Sequence, residues 1–190
     1  MDKNKITFGL KNVYYAKITA EGTDGVEYGK PVPMPGGASI SLPKNVEKIA
    51  IAGDDDPEYV VIYDNKGYEG DLVLYDVPDS YLTDCLGMTV DGDTVVENRK
   101  DRPSPFALLF EFDGDKKKKR HVLYRCMGEK PDIASQTNGN GVNPNQVTLK
   151  LSATPAKNTG DIKRTCLQSE NEVYNKWFDA VQVSGTSTAE

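Results

Sequence analysis

Apolar and polar residues alternate with a period of two along most of the chain, which is the pattern of half-buried β-strands. This alternation predicts strands at 6–19, 39–42, 48–52, 59–63, 68–75, 106–112, 120–127, 147–153 and 162–167. The runs 106–112 and 120–127 are joined through Asp113, Gly114 and Asp115. An Asp-Gly step between two apolar runs predicts a β-hairpin at that point.

Two segments have helical spacing instead. In 78–86, Pro78 stands at an early position, Gly87 follows as the C-cap, and the apolar stripe is Tyr81, Leu82, Cys85 and Leu86. Near the C-terminus, Ser169 and Glu172 form a capping box, followed by one apolar face of Val173, Trp177, Phe178 and Val181. Many short strands with two short helices predict an α+β, mainly β fold of the flanked β-sandwich type.

The loops are predicted from their Gly, Pro and Asn content. These are the stretch 20–38, centred on PVPMPGG, and the Asn/Gly/Pro-rich stretch 130–145. Turns are predicted at 53–57, where the stretch GDDDP ends a strand, and at 64–67. A length of 190 residues fits one domain. We therefore expect a single domain over 1–183 and a polar, disordered tail over 184–190.

The composition is polar for a compact domain, with 37% hydrophobic residues and a mean hydropathy of -0.56. This predicts either a modest core with long polar loops or a chain that completes its burial against copies of itself. Tyrosine is abundant, at 10 residues against one tryptophan and five phenylalanines. Its apolar ring and polar tip suit half-buried strands and subunit interfaces.

The charge argues against a protein that grips DNA tightly. The net charge is -6 with mixed signs, whereas tight binding to a duplex needs a basic face. The longest apolar runs, 59–63 and 106–110, are five residues, so we expect neither a membrane span nor a signal peptide. Cys85, Cys126 and Cys166 are odd in number and widely spaced, which predicts reduced, partly buried thiols in a cytoplasmic product.

Catalytic and metal-binding patterns are weak. The single histidine, His121, leaves no multi-histidine metal site, and we interpret it as a solvated strand residue. Asp54–Asp55–Asp56 is the best metal candidate, but it lacks EF-hand spacing and is better explained as a polar loop. The run 138–141 has no phosphate-loop lysine. Acidic residues are plentiful, so a pair of carboxylates for glycoside hydrolysis stays open, although no particular pair stands out. We expect no catalytic residue, cofactor or metal.

The lysine run 116–119, extended by Arg120, permits three interpretations. The first is the solvated tip of the 106–127 hairpin, where like charges discourage wrong pairing. The second is a contact between subunits, in which the lysines meet an acidic loop such as 54–56 of a neighbour. DNA binding ranks third, since the run has no interleaved aromatic residues.

Several blocks together resemble the siphovirus major tail protein family, which builds the tube of long non-contractile phage tails. The blocks are ITFGLKNVYYAK within 5–17, GYEGDLVL at 67–74, a short helix ending at Leu86–Gly87, ALLFEFDGDKKKKRHVLY at 107–124, VTLKLSATP at 147–155 and Trp177–Phe178. The resemblance covers roughly 5–181, and the hairpin block is its most specific part.

The resemblance implies a tail-tube-like β-sandwich of two antiparallel sheets flanked by a short helix, with extended loops and arms. It further implies six-fold rings of the chain, stacked into a hollow tube within the virion tail after assembly in the host bacterial cytoplasm. Expected partners are further copies of the chain, the tape measure, the tail terminator and the distal tail proteins. DNA would be transient, non-specific cargo, and acidic residues facing the lumen would repel its phosphates.

Two alternatives to the tube subunit stay open. One is another tail component of the same fold, such as a tail terminator or baseplate tube cap, which stops at one ring. The other is a carbohydrate-binding β-sandwich module, which a single tryptophan for sugar stacking does not favour. No sequence motif supports an enzymatic function.

Overall fold

A computed structural model of the chain describes residues 6–22, 25–135, 144–167 and 171–183. The fold is mainly β, with 52% strand, 6% helix and two antiparallel sheets, which confirms the predicted fold class. The helices are α1 (Asp79–Asp84) and α2 (Glu172–Asn175). The strands are β1 (Leu10–Glu21), β2 (Val26–Tyr28), β3 (Val32–Pro33), β4 (Gly37–Ser41), β5 (Lys44–Gly53), β6 (Asp56–Leu74), β7 (Thr89–Asp91), β8 (Thr94–Val96), β9 (Phe106–Phe112), β10 (Arg120–Gly128), β11 (Val147–Thr154) and β12 (Lys163–Cys166).

The larger sheet folds over on itself at β10. Its strand order is β2-β1-β9-β10-β11-β6-β4, with β3 on β1, β12 on β10 and β5 on β6. The first part of β10 pairs with β9 and β12, and its second part pairs with β11. The register with β9 shifts between Leu123 and Cys126, where a bulge bends the strand. The smaller sheet is the β7–β8 hairpin.

The main core lies between the two halves of the folded sheet. Strands β1 and β9 contribute Tyr15 and Leu108, and strands β6 and β11 contribute Leu72 and Leu149, all with no exposed surface. Helix α1 closes this core with Tyr81, Cys85 and Leu86. Apolar side chains that alternate along facing strands are therefore buried together, as in a β-sandwich.

A second core covers the outer face of β1, β9 and β10. Trp177, after α2, is 1% exposed and packs with Ala107, Leu109 and Val122. Its indole N–H donates to the backbone oxygen of His121 at 3.4 Å. The C-terminal segment is thus a third layer on the sandwich.

The predicted hairpin, the 147–153 strand and helix 78–86 are confirmed by β9–β10, β11 and α1. Gly87 adopts the left-handed conformation expected of a C-cap residue, with φ 75°. The N-terminal strand begins at Leu10, later than the predicted residue 6.

Two predictions about loops and turns need correction, and one hairpin was not predicted. The stretch 20–38, predicted as a loop, contains β2, β3 and the start of β4, because short edge strands tolerate the prolines that central strands exclude. The predicted turn at 64–67 is wrong, since β6 continues through it with only a shift in its register with β5 between Asn65 and Gly67. The β7–β8 hairpin was not predicted, although Asp91 and Gly92 between Thr- and Val-rich runs are a hairpin signal.

Some of the remaining predictions concern residues that the structure does not describe. Ser169, the run 138–141 and the tail 184–190 lie outside them. Helix α2 has Asn171 as its N-cap, with its side-chain oxygen accepting the Tyr174 N–H at 2.6 Å. The helix is only four residues long, and Val173 is exposed rather than on a buried face. Residues 130–135 and 144–145 form neither strand nor helix.

Candidate functional site: the β5–β6 arm

The most unusual feature of the molecule is a long hairpin, residues 46–66, which we call the arm. The C-terminal half of β6 pairs with β4 and β11, but its N-terminal half pairs with β5 alone. Within 46–66 all residues are exposed except Gly53 and Val61, which are half-buried. The arm therefore extends from the sandwich as a two-stranded ribbon with solvent on both faces.

Gly67 marks the point where β6 leaves the sandwich. It is buried and has a φ of 113°, a conformation that side chains with a Cβ rarely adopt. A Cβ at this position would stand 1.9 Å from the backbone oxygen of Ala153 on β11. Glycine thus permits both the backbone conformation and the close approach to β11 that let one strand serve two parts of the molecule.

One face of the arm is lined by β-branched aliphatic residues. Residues directly opposite in an antiparallel ladder share a face, and here Ile49 faces Ile62 while Ile51 faces Val60. Their exposed fractions are 41%, 49%, 49% and 41% for Ile49, Ile62, Ile51 and Val60. We call this four-residue surface the isoleucine face.

The opposite face carries aromatic residues. Tyr59 and Tyr63 are 61% and 67% exposed and lie on the same side of β6 as Val61. Ala50 lies opposite Val61. The sequence YVVIY at 59–63 is apolar at consecutive positions, a pattern typical of a strand buried on both faces. None of the residues that the structure describes covers either face.

An apolar ribbon of two strands is marginally stable in water, and contiguous exposed apolar surface marks an interaction site. Full burial of a valine or isoleucine contributes about 1.5–3 kcal/mol, so completing the burial of each half-exposed residue contributes about 1 kcal/mol. The isoleucine face would then contribute about 4 kcal/mol, at the lower limit of the cost of associating two proteins. One such contact is weak, and a stable assembly needs several per subunit.

The tip of the arm is acidic. Asp54 and Asp55 have φ values of 49° and 63°, as the two central residues of a type I′ hairpin turn require. Asp56 accepts the backbone N–H of Glu58 through Oδ1 at 2.9 Å. The interpretation of 54–56 as a polar loop is confirmed, and the turn places three exposed carboxyl groups at the end of the ribbon.

His121 is not solvated, contrary to the prediction. It is 8% exposed, stacks on Phe110 at 5.2 Å between ring centroids, and lies 3.0 Å from Thr165 Oγ1 through Nδ1. Burial, assisted by Lys163 and Lys119, lowers its pKa to about 4. The strand alternation that places Leu123 in the core also places His121 there, so the sequence already contained this signal.

The lysine run forms the β9–β10 turn, as predicted, but Arg120 has a separate role. Lys116, Lys117 and Lys118 are exposed, and the buried Asp115 accepts the Lys117 N–H at 2.9 Å. Arg120 Nε contacts Glu111 at 2.9 Å. Its guanidinium lies 3.7 Å from the ring centroid of Tyr174, so it anchors the C-terminal layer.

The cysteines are free, as predicted, and they are buried rather than partly buried. Burial raises the pKa of Cys85 and raises that of Cys126 to about 12, so neither thiol ionises near neutral pH.

In the part of the chain that the structure covers, no three His, Cys, Asp or Glu side chains are arranged to hold a metal ion. Among the same residues, no helix is both long and apolar enough to cross a membrane. No protein-family model and no curated protein sequence matches the chain.

Proposed function

We propose that this chain is a structural subunit of a phage virion, the major tail protein, which assembles into stacked rings that form the DNA-conducting tube of a long non-contractile tail. The observation that carries the proposal is the arm, whose two apolar faces are not covered by any other part of the described chain. The resemblance of six sequence blocks to the siphovirus major tail protein family supports the same conclusion.

A ring of identical subunits suits the energetics of the arm. In a head-to-tail assembly every subunit gives one contact and receives another, so weak contacts accumulate around a closed ring. Stacking adds further contacts on both ring faces. The modest contribution of one arm therefore predicts a chain that is monomeric when dilute and assembles cooperatively when concentrated.

Assembly into a tail tube implies a specific set of partners. Copies of the chain are the main partner, the tape measure protein would occupy the tube, and the tail terminator and distal tail proteins would close its ends. DNA would pass as transient cargo, and a net charge of -6 favours passage over adhesion. After assembly in the bacterial cytoplasm, the protein would be located in the virion tail.

The test is sedimentation velocity of the purified chain over a concentration series. The double variant Ile49→Thr and Ile62→Thr keeps β-branched residues in the arm but removes apolar surface from the isoleucine face. We expect it to raise the concentration for assembly at least ~10-fold, with an unchanged melting temperature. The control is Val90→Thr, a strand position outside the arm that is 63% exposed. Equal assembly of the arm variant and the control would contradict the proposal.

A single-ring tail component, such as a terminator or tube cap, would also use the arm. Electron microscopy separates the two functions, since a ring component stops at one layer. For the carbohydrate-binding alternative, the single tryptophan cannot serve as a sugar-stacking platform, because Trp177 is 1% exposed.

A further inference from the structure

A small apolar groove opens between the two halves of the sandwich, close to the base of the arm. It has a volume of about 170 Å³ and is lined mainly by Ile40, Leu42, Tyr68, Phe110, Phe112 and Leu123. An apolar cavity of roughly 150 Å³ holds a benzene-sized group. The groove therefore has room for the side chain of an isoleucine or valine.

The rim of the groove is basic. Lys163 lines it directly, with its ammonium group 6.0 Å from the ring centroid of Tyr68. Phe112 leads into the β9–β10 turn, which carries the exposed Lys116, Lys117 and Lys118. The nearby Asp115 is buried, and its carboxylate accepts backbone N–H groups of the turn. Asp113 is exposed in the same turn but pairs with Lys11 at 3.0 Å. The net exposed charge at this end of the groove is therefore positive.

The tip of the arm has the complementary pattern. Ile51 and Val60 are the members of the isoleucine face nearest the turn, and Asp54, Asp55 and Asp56 follow directly at the end. An apolar pair beside a negative end matches an apolar groove beside a positive rim. Opposite charges around an apolar contact set the orientation of an interface more than its strength.

We propose that the groove of one copy receives the arm tip of a second copy, with Ile51 and Val60 in the groove and the aspartates of the turn at Lys117 and Lys163. This inference rests on the proposed self-assembly and names the surface that the arm meets.

The geometry prevents the arm from filling its own groove. The eight residues from Val46 to Gly53 extend roughly 25 Å at about 3.3 Å per residue. Leu42 and Tyr68, which line the groove, lie at the base of that same ribbon. An extended hairpin cannot return to its base, so the contact joins different copies. A donor and a separate acceptor on each copy give a head-to-tail contact, which closes into a ring or continues as a helix.

The first test is a disulfide between two singly substituted chains. Ile51→Cys supplies the donor and Lys163→Cys the acceptor, and the native cysteines are buried. We expect a covalent dimer when the two variants are mixed under mild oxidation. A mixture of Thr94→Cys with Lys163→Cys is the control, since Thr94 is an exposed strand residue outside the arm. A dimer yield no higher than the control would overturn the inference.

The second test exchanges charges within one chain. Asp55→Lys and Lys117→Glu each place like charges at the contact, and we expect each to raise the concentration for assembly by at least ~10-fold. The chain carrying both substitutions restores opposite charges between copies and should recover most of that loss. Asp93→Lys, an exposed turn residue of the β7–β8 hairpin, controls for net charge. Additive losses without recovery would contradict the pairing.

The outcomes separate this inference from the proposed function. Tubes that form without the Ile51–Lys163 cross-link would keep the proposed function and place the arm on another surface. A cross-linked pair that never proceeds to rings or tubes would support the groove contact and contradict the tail tube. A chain that stays monomeric at every concentration contradicts both.

Discussion

At the scale of single residues, His121 has the clearest physical signature. It is neutral when folded, since burial between Phe110, Phe112 and Thr165 lowers its pKa from 6.5 to about 4. Between these two values the unfolded chain binds more protons than the folded chain does. The free energy of unfolding therefore falls as pH falls through this window.

The expected loss from this residue between pH 7 and pH 5 is about 2 kcal/mol. Denaturant titrations at both pH values measure it. In His121→Gln the group that titrates is absent, so the pH dependence should be smaller by that amount. Arg99→Gln, an exposed substitution elsewhere, should keep the full dependence. An equal slope in His121→Gln and the wild type would show that His121 is not neutral and buried in the fold.

At the scale of elements, β6 joins the sandwich to the arm, and this continuity depends on Gly67. An alanine at 67 would suffer both a left-handed backbone and a Cβ placed 1.9 Å from the Ala153 oxygen. The left-handed conformation alone costs roughly 1–2 kcal/mol for a residue with a Cβ. The clash requires β6 and β11 to separate, which adds to that cost.

We expect Gly67→Ala to lower the free energy of unfolding by roughly 3 kcal/mol or more, as strain and overpacking combine. Gly160→Ala is the matched control, because Gly160 has a φ of 73° with nothing within 4 Å of its Cβ position. Gly160→Ala should lower the free energy of unfolding only by the cost of the left-handed backbone. Urea midpoints of both variants measure the difference, and equal losses would mean that the close approach to β11 is not rigid.

Local pattern predicted most elements but not their arrangement. The 106–127 hairpin and strand 147–153 follow from alternation and from the Asp-Gly step, so they were predicted from sequence. The turn at 64–67 was wrong because Asp, Asn and Gly there are also compatible with a strand that bulges at a glycine.

The arm shows why the site was harder to predict than the fold. The run 59–63 predicts a strand, but the sequence pattern does not distinguish burial in the chain's own core from burial against another copy. Only the three-dimensional arrangement shows that nothing in the described chain covers Ile49, Ile62, Tyr59 or Tyr63. The groove likewise unites residues from β4, β6, β9 and β10, whose proximity no local spacing encodes.

At the scale of the whole molecule, the chain combines a complete β-sandwich core with an uncovered apolar arm. The sandwich buries its own alternating residues, so the arm is not needed to complete that core. Its cover comes, on this account, from identical neighbours, and the acidic tip and basic groove set the orientation of the contact. In the proposed tail tube, function would reside in the polymer rather than in a pocket of the monomer.

The decisive measurement for the tail-tube proposal is negative-stain electron microscopy of the purified wild-type chain across a concentration series. We expect monomers when the chain is dilute and hollow tubes of uniform width when it is concentrated, with the Ile49→Thr, Ile62→Thr chain forming few or none. Compact monomers at every concentration up to the solubility limit would contradict it.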